Sequence, residues 1–124
     1  MQLSEQWVLV TGGARGLGQS ITRALAREGA GVVINYLHSD AAAQALAEEL
    51  GPRALALQAD VTDAAAVQRL FAQARERTGQ PISAVVNNAL AQFRFAGDAR
   101  PQIGDITWQG FAQQLEGAVK GALN

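Results

Sequence analysis

One stretch, Thr11-Gly12-Gly13-Ala14-Arg15-Gly16-Leu17-Gly18, restricts the fold of this chain more than any other. It follows an apolar run, Trp7-Val8-Leu9-Val10, and opens a segment where Leu17, Ile21 and Leu25 recur at helical spacing. A strand that turns through glycines into a helix makes an anion site. The first helical N–H groups have no intrahelical acceptor, and the helix dipole adds positive potential there. Glycine suits the turn because unusual backbone angles are needed, and because a side chain would hold a ligand away. The spacing is G-x-x-x-G-x-G, not G-x-G-x-x-G.

The rest of the chain alternates in the same rhythm. A first strand is predicted over 6–11. A helix runs from Gly16 to Glu28-Gly29, where glycine suits a helix end. A second strand follows over Gly31–Tyr36, centred on Val32-Val33-Ile34. The next helix takes Ser39 as its N-cap and stops at Gly51-Pro52. A third strand covers Ala54–Gln58. The third helix starts after Thr62-Asp63, with Val67, Leu70, Phe71 and Ala74 on one face. Thr78-Gly79-Gln80-Pro81 ends it, and a fourth strand is predicted over 82–87. Residues 90–106 lack a period and contain Gly97, Pro101 and Gly104, so a loop or broken helix is expected. A last helix begins near Thr107, with Phe111, Leu115, Val119 and Leu123 on or near one face.

Strands alternating with helices imply βαβ units and a parallel sheet, and right-handed crossovers place helices on both faces. The expected fold class is α/β: a Rossmann-type doubly wound sheet of about four strands, with residues 1–124 as one dinucleotide-binding segment. The fourth strand would be an apolar edge, which invites pairing. The chain therefore reads as part of a larger fold, or as a half that needs a partner.

Composition narrows the function classes. The chain has 124 residues, is 48% hydrophobic and 17% charged, and suits one globular domain. A net charge of −1 with no basic run argues against nucleic acid and anionic membrane surfaces as partners. Without cysteine there is no disulfide, thiolate chemistry or cysteine-ligated zinc. The single histidine, His38, argues against a histidine metal site. No apolar run approaches the ~20 residues of a membrane span. Residues 1–6 lack the basic-then-apolar pattern of a signal peptide, so a cytoplasmic location is expected.

Three motifs now stand at the ends of successive predicted strands: the glycine turn Thr11 to Gly18, Asp60-Val61 after the third strand, and Asn87-Asn88-Ala89 after the fourth. In these the chain resembles the short-chain dehydrogenase/reductase family, and within it the 3-oxoacyl-[acyl-carrier-protein] reductase-like members. The motifs cover almost the whole chain but only the first part of that family's fold. The resemblance implies a nicotinamide dinucleotide lying across the carboxyl ends of the strands. Gly12, Ala14, Gly16, Leu17 and Gly18 would hold its pyrophosphate region. Asp60 would bond the adenine amino group with Val61 beside it. Asn87, Asn88 and Ala89 would line the path to the nicotinamide ribose.

The cofactor is expected to be NADP(H) rather than NAD(H). An acid at the end of the second strand would bind a free 2′-hydroxyl and repel a 2′-phosphate. Here that strand runs into Asn35-Tyr36-Leu37-His38-Ser39, with no acid before Asp40. Arg15 stands inside the turn, as in NADP-preferring family members, where a cation pairs with the phosphate. Tyr36, His38 and Ser39 complete the candidate cofactor contacts.

The chain departs from the family in its chemistry. The resemblance implies a serine and a Tyr-x-x-x-Lys pair, yet the sole tyrosine is Tyr36 and the sole lysine Lys120. They belong to different elements, so no catalytic residue is assigned within the chain. Leu90 stands where N-N-A is usually followed by glycine. The relay asparagine of the last helix falls on Ala118 if Val119-Lys120-Gly121 is aligned, or on Leu115 if Trp108 is. Neither side chain passes a proton. Two readings follow: the cofactor half of a reductase acting on a small carbonyl substrate, or a non-catalytic dinucleotide-binding module or fragment. A homo-oligomer through Phe111, Leu115 and Val119 is expected. Phe93, Phe95 and Trp108 are expected to cover one side of the pocket.

Overall fold

Strands of Val, Leu and Ile without polar alternation belong in a sheet covered on both faces. The computed structural model, which describes residues 1–90, 97–99 and 102–124, has that sheet. β1 (Trp7–Val10), β2 (Gly31–Tyr36), β3 (Ala54–Gln58) and β4 (Ala84–Val86) are joined by α1 (Gly16–Arg27), α2 (Asp40–Leu50) and α3 (Ala64–Thr78). The order is β3-β2-β1-β4, and every pairing is parallel. Leu9 lies between Val33 on one side and Val85 on the other.

Successive strand residues point to opposite faces and build two cores. Trp7, Leu9, Val33, Leu55 and Leu57 meet Leu70 and Ala74 of α3. Val10, Val32, Ile34 and Ala56 meet Ile21 and Leu25 of α1, and Ala43 and Leu46 of α2. The sheet is thus doubly wound, as the alternation of elements implies. Phe71, expected on the buried face of α3, is 37% exposed.

β2 and β3 have the predicted bounds, while β1 and β4 are shorter than the predicted 6–11 and 82–87. Thr11 keeps its N–H on the Val86 carbonyl (3.1 Å), but its carbonyl and hydroxyl bond Asn88 and Ala89 beyond β4. At the other end, Ser83 is held by its N–H bond to the Trp7 carbonyl (2.9 Å), just after Pro81 has removed a donor. β4 lies at the sheet edge, with Val85 44% exposed.

Gly97–Ala99 and Ile103–Asp105 are single 3₁₀ turns. Phe93 and Phe95 lie outside the described residues, so their expected role over the pocket does too. The last helix, α4 (Trp108–Leu115), starts at Thr107, whose hydroxyl accepts from the Gly110 N–H at 3.1 Å. It does not continue regularly. Glu116–Lys120 widens into a π turn before α5 (Gly121–Leu123). Phe111, Leu115, Val119 and Leu123 are all at least 42% exposed, while Gly117 is buried. No helix among the described residues is long and apolar enough to cross a membrane.

Candidate functional site

Parallel strands deliver all their carboxyl ends to one edge. Residues 11–15, 35–36, 59–61 and 87–89 gather there. α1 begins at this edge with Arg15 as an extended N-cap residue whose side chain makes no cap bond. Gln19 is the first N–H engaged, by the Arg15 carbonyl (3.1 Å). The N–H groups of Gly16, Leu17 and Gly18 have no acceptor among the described residues. Leu17 (71% exposed) and Arg15 face solvent beside them. Ala14, by contrast, is buried beneath the turn, so only its main chain faces the edge.

Close packing explains two of the glycines. A Cβ on Gly12, where φ is +62°, would stand 3.1 Å from the Ala89 backbone. A Cβ on Gly18 would overlap the Gly12 carbonyl and come within 2.6 Å of Asn88 Nδ2. Polar side chains lock the turn in this position. Asn88 Nδ2 donates to the Thr11 and Gly12 carbonyls (3.0 and 3.1 Å). The Thr11 hydroxyl oxygen accepts the Asn88 and Ala89 N–H groups (2.9 and 3.0 Å). Thr22, wholly buried, donates its hydroxyl to the Gly13 carbonyl (3.2 Å).

Sequence reasoning missed Asn35. This residue is 2% exposed, and Oδ1 accepts from the Gly12 N–H while Nδ2 donates to the Ala59 carbonyl. Its one signal was a lone amide within an apolar strand. Thr11 and Thr22 were likewise hidden, because a threonine's partner depends on the tertiary fold.

Asp60 lies beyond β3, half-buried. Its Oδ1 accepts from the Thr62 hydroxyl (2.7 Å) and the Thr62 N–H (2.9 Å). These bonds, aided by the positive fields of His38 and Lys120, hold its carboxyl below the ordinary value. No hydrogen bond occupies its Oδ2 among the described residues. Val61 backs onto Gly121 of the last helix, and its carbonyl accepts from Asn124 Nδ2 (2.9 Å). His38 is exposed and Ser39 half-buried at the start of α2.

Tyr36 is placed differently from the other candidates. Its ring is 8% exposed within the α1/α2 core, and its hydroxyl donates to Asp40 Oδ1. That bond, with burial, pushes the phenol above its ordinary value. Asp40 Oδ1 also accepts from Gln44 Nε2 (3.5 Å). Lys120 pairs with Glu116 (3.4 Å), so the sole tyrosine and sole lysine serve separate contacts.

A cavity of about 80 Å³ opens where β4 ends against the last helix. Asn87, Asn88, Leu90 and Val61 line it from one side, Ala118 and Gly121 from the other. Of the two candidate relay positions, Ala118 reaches this cavity, and Leu115 is not among its lining residues. The chain therefore presents a methyl group there.

Four parallel strands in this order, covered on both faces and opened by a glycine turn, define a Rossmann-type α/β fold. The chain belongs to the short chain dehydrogenase family, which matches residues 6–120. It is 44% identical over 89 residues to a sorbitol dehydrogenase of Cereibacter sphaeroides, covering 72% of this chain and 34% of that protein. It is 39% identical over 90 residues to a hydroxynaphthalene reductase-like protein, Arp2, of Metarhizium acridum, covering 70% of this chain and 33% of that one. A 3-ketoacyl-(acyl-carrier-protein) reductase from Brucella melitensis complexed with NADH superposes with a TM-score of 0.82 at 28% identity, over 98% of this chain and 47% of that one. A blue fluorescent protein from a metagenomic library in complex with NADPH gives 0.78 at 34% identity, over 99% and 49%. The chain spans about a third of these curated relatives and just under half of these solved structures.

Proposed function

We propose that this segment is the NADP(H)-binding part of a cytoplasmic short-chain oxidoreductase that reduces a carbonyl substrate of the 3-oxoacyl-acyl-carrier-protein type. The observation that carries the reading is the set of N–H groups at Gly16, Leu17 and Gly18 with no acceptor among the described residues, beside a turn with no room for a Cβ at Gly18 and little at Gly12. Such a cradle fits a pyrophosphate. Gly12, Gly16 and Gly18 would let the backbone approach it, with Leu17 against its outer side. Asp60 has an uncommitted Oδ2 for an adenine amino group, and Val61 an apolar wall. Asn87, Asn88 and Ala89 would border the ribose on the nicotinamide side. When bound, the nicotinamide supplies the hydride that reduces a ketone carbon.

The preference for a 2′-phosphate rests on charge. Asp40 is the nearest acid after β2, and its Oδ1 already accepts from Tyr36 and Gln44. Arg15 is exposed at the turn after β1, and His38 and Ser39 follow β2 just before α2. A phosphate there would meet the Arg15 cation and the Ser39 hydroxyl, with no acid before Asp40. A second reading, a dinucleotide-binding module without catalysis of its own, draws on the separate engagement of Tyr36 and Lys120. Self-association through Phe111, Leu115 and Val119 belongs to either reading.

Titration with NADPH and with NADH, followed by energy transfer from tryptophan to nicotinamide, tests the proposal. The expected result is tighter binding of NADPH, with about a tenfold loss confined to NADPH in Arg15→Ala. Equal affinity for the two cofactors would remove the Arg15 argument. Binding of neither would remove the cofactor assignment.

A further inference from the structure

Asn35 stands between Ile34 and Tyr36 in a strand buried along its length. An amide in such surroundings costs free energy unless its polar atoms are met. Here they are. Oδ1 accepts from the Gly12 N–H at 3.3 Å, and Nδ2 donates to the Ala59 carbonyl at 3.0 Å. The Asn35 main-chain carbonyl accepts from the Gly13 N–H at 2.9 Å. One residue of β2 therefore ties the turn after β1 to the segment after β3.

That arrangement sorts the N–H groups of the turn. Those of Gly12 and Gly13 point inward onto Asn35, while those at the helix start, Gly16, Leu17 and Gly18, have no acceptor among the described residues. Ala59 precedes Asp60, so the same amide also sets how far Asp60 and Val61 stand from the turn. An aliphatic residue, as at Ile34, would keep the main-chain bond to Gly13 but lose the side-chain bonds to the Gly12 N–H and the Ala59 carbonyl.

We infer that Asn35 is a positioning residue that fixes the separation between the phosphate turn and the Asp60–Val61 wall. It serves ligands that span both, an adenine nucleotide carrying a 5′-pyrophosphate, and is indifferent to ligands that touch only one. The inference rests on the dinucleotide-binding reading above.

The test compares spanning and non-spanning ligands. Dissociation constants of NADP⁺, ADP, adenosine and inorganic pyrophosphate are measured by amide chemical-shift titration for the unchanged protein and for Asn35→Val. Affinity for NADP⁺ and ADP falls by about tenfold or more, while adenosine and pyrophosphate change by less than about threefold. Asn35→Asp carries the test if Asn35→Val does not fold. At neutral pH its carboxylate faces the Ala59 carbonyl with two acceptors, and NADP⁺ binding is weak. Near pH ~5 a proton taken up by that carboxyl restores a donor, and affinity recovers relative to the unchanged protein at the same pH. An equal loss for all four ligands, or an undiminished affinity for NADP⁺, overturns the inference alone. If the unchanged protein binds none of the four, the dinucleotide reading falls and the inference falls with it.

Discussion

A hydrogen atom is the largest side chain that Gly18 can carry, because the Gly12 carbonyl and the Asn88 amide occupy the space beyond it. Gly18→Ala forces the helix start away from the turn and lowers stability by about 1–3 kcal/mol, read from the urea midpoint. Thr22→Val keeps the shape but leaves the Gly13 carbonyl without its donor, at a cost of about 1–2 kcal/mol in the same assay. Asp60 responds to pH in a defined direction. Its folded pKa lies below the ordinary 3.8, first because of the Thr62 hydroxyl and then the Thr62 N–H. The stability it contributes is therefore present above pH 3.8 and is lost as pH falls through the lower folded value. Thr62→Val moves the Asp60 midpoint upward toward 3.8 in a carboxyl carbon NMR titration. An unmoved midpoint would assign the depression to His38 and Lys120 instead.

Elements differ in how openly the chain declares them. α3 begins at Asp63, whose carboxylate accepts from the Ala65 and Ala66 N–H groups (3.0 and 3.3 Å). Asp63→Ala should cost about 1 kcal/mol of thermal stability, since the cap bonds vanish and the helix stays exposed at that end. β2 and β3 could be read from sequence to the residue, because Gly31, Gly51-Pro52 and a block of β-branched or aliphatic residues frame them. The ends of β1 and β4 could not. The β1 and β4 ends nearest the turn depend on the bonds that Thr11 and Asn88 make to each other across 77 residues. The π turn at Glu116–Lys120 was equally hidden, since neither proline nor a break in the apolar spacing marks it. Of the site, the glycines, Asp60 and the two asparagines carried a local signature. Asn35 did not, because a single buried amide acquires meaning only from what the sheet places beside it.

At the level of the whole molecule, order β3-β2-β1-β4 reverses direction between β1 and the strands on either side. Open α/β sheets bind ligands in the crevice at such a switch point. The glycine turn and Asn87–Ala89 lie side by side at that point, joined through Thr11, Gly12 and Asn88. The core beneath is what keeps them in register: Ile34 is fully buried at the centre of one layer, and Leu46 of α2 packs in the same layer. Leu46→Ala should lower stability by about 2–5 kcal/mol in chemical denaturation, and cofactor titration without denaturant, where the variant is still folded, should be little changed. A large loss of affinity in the folded variant would mean that α2 shapes the crevice directly.

The bonds between Thr11 and Asn88 also set an order of events during synthesis. A nascent chain exposes residues 11–18 early, yet the donors that close this turn are added some seventy-seven positions later. Until then Thr11 and Gly12 have carbonyls without their amide partner, and β1 has only β2 at its side. A ribosome stalled before residue 86 would carry three strands and an unfinished turn. One that has released residue 89 carries the closed form. The turn after β1 thus stays open while three strands are made, and Asn88 and Ala89 then close it.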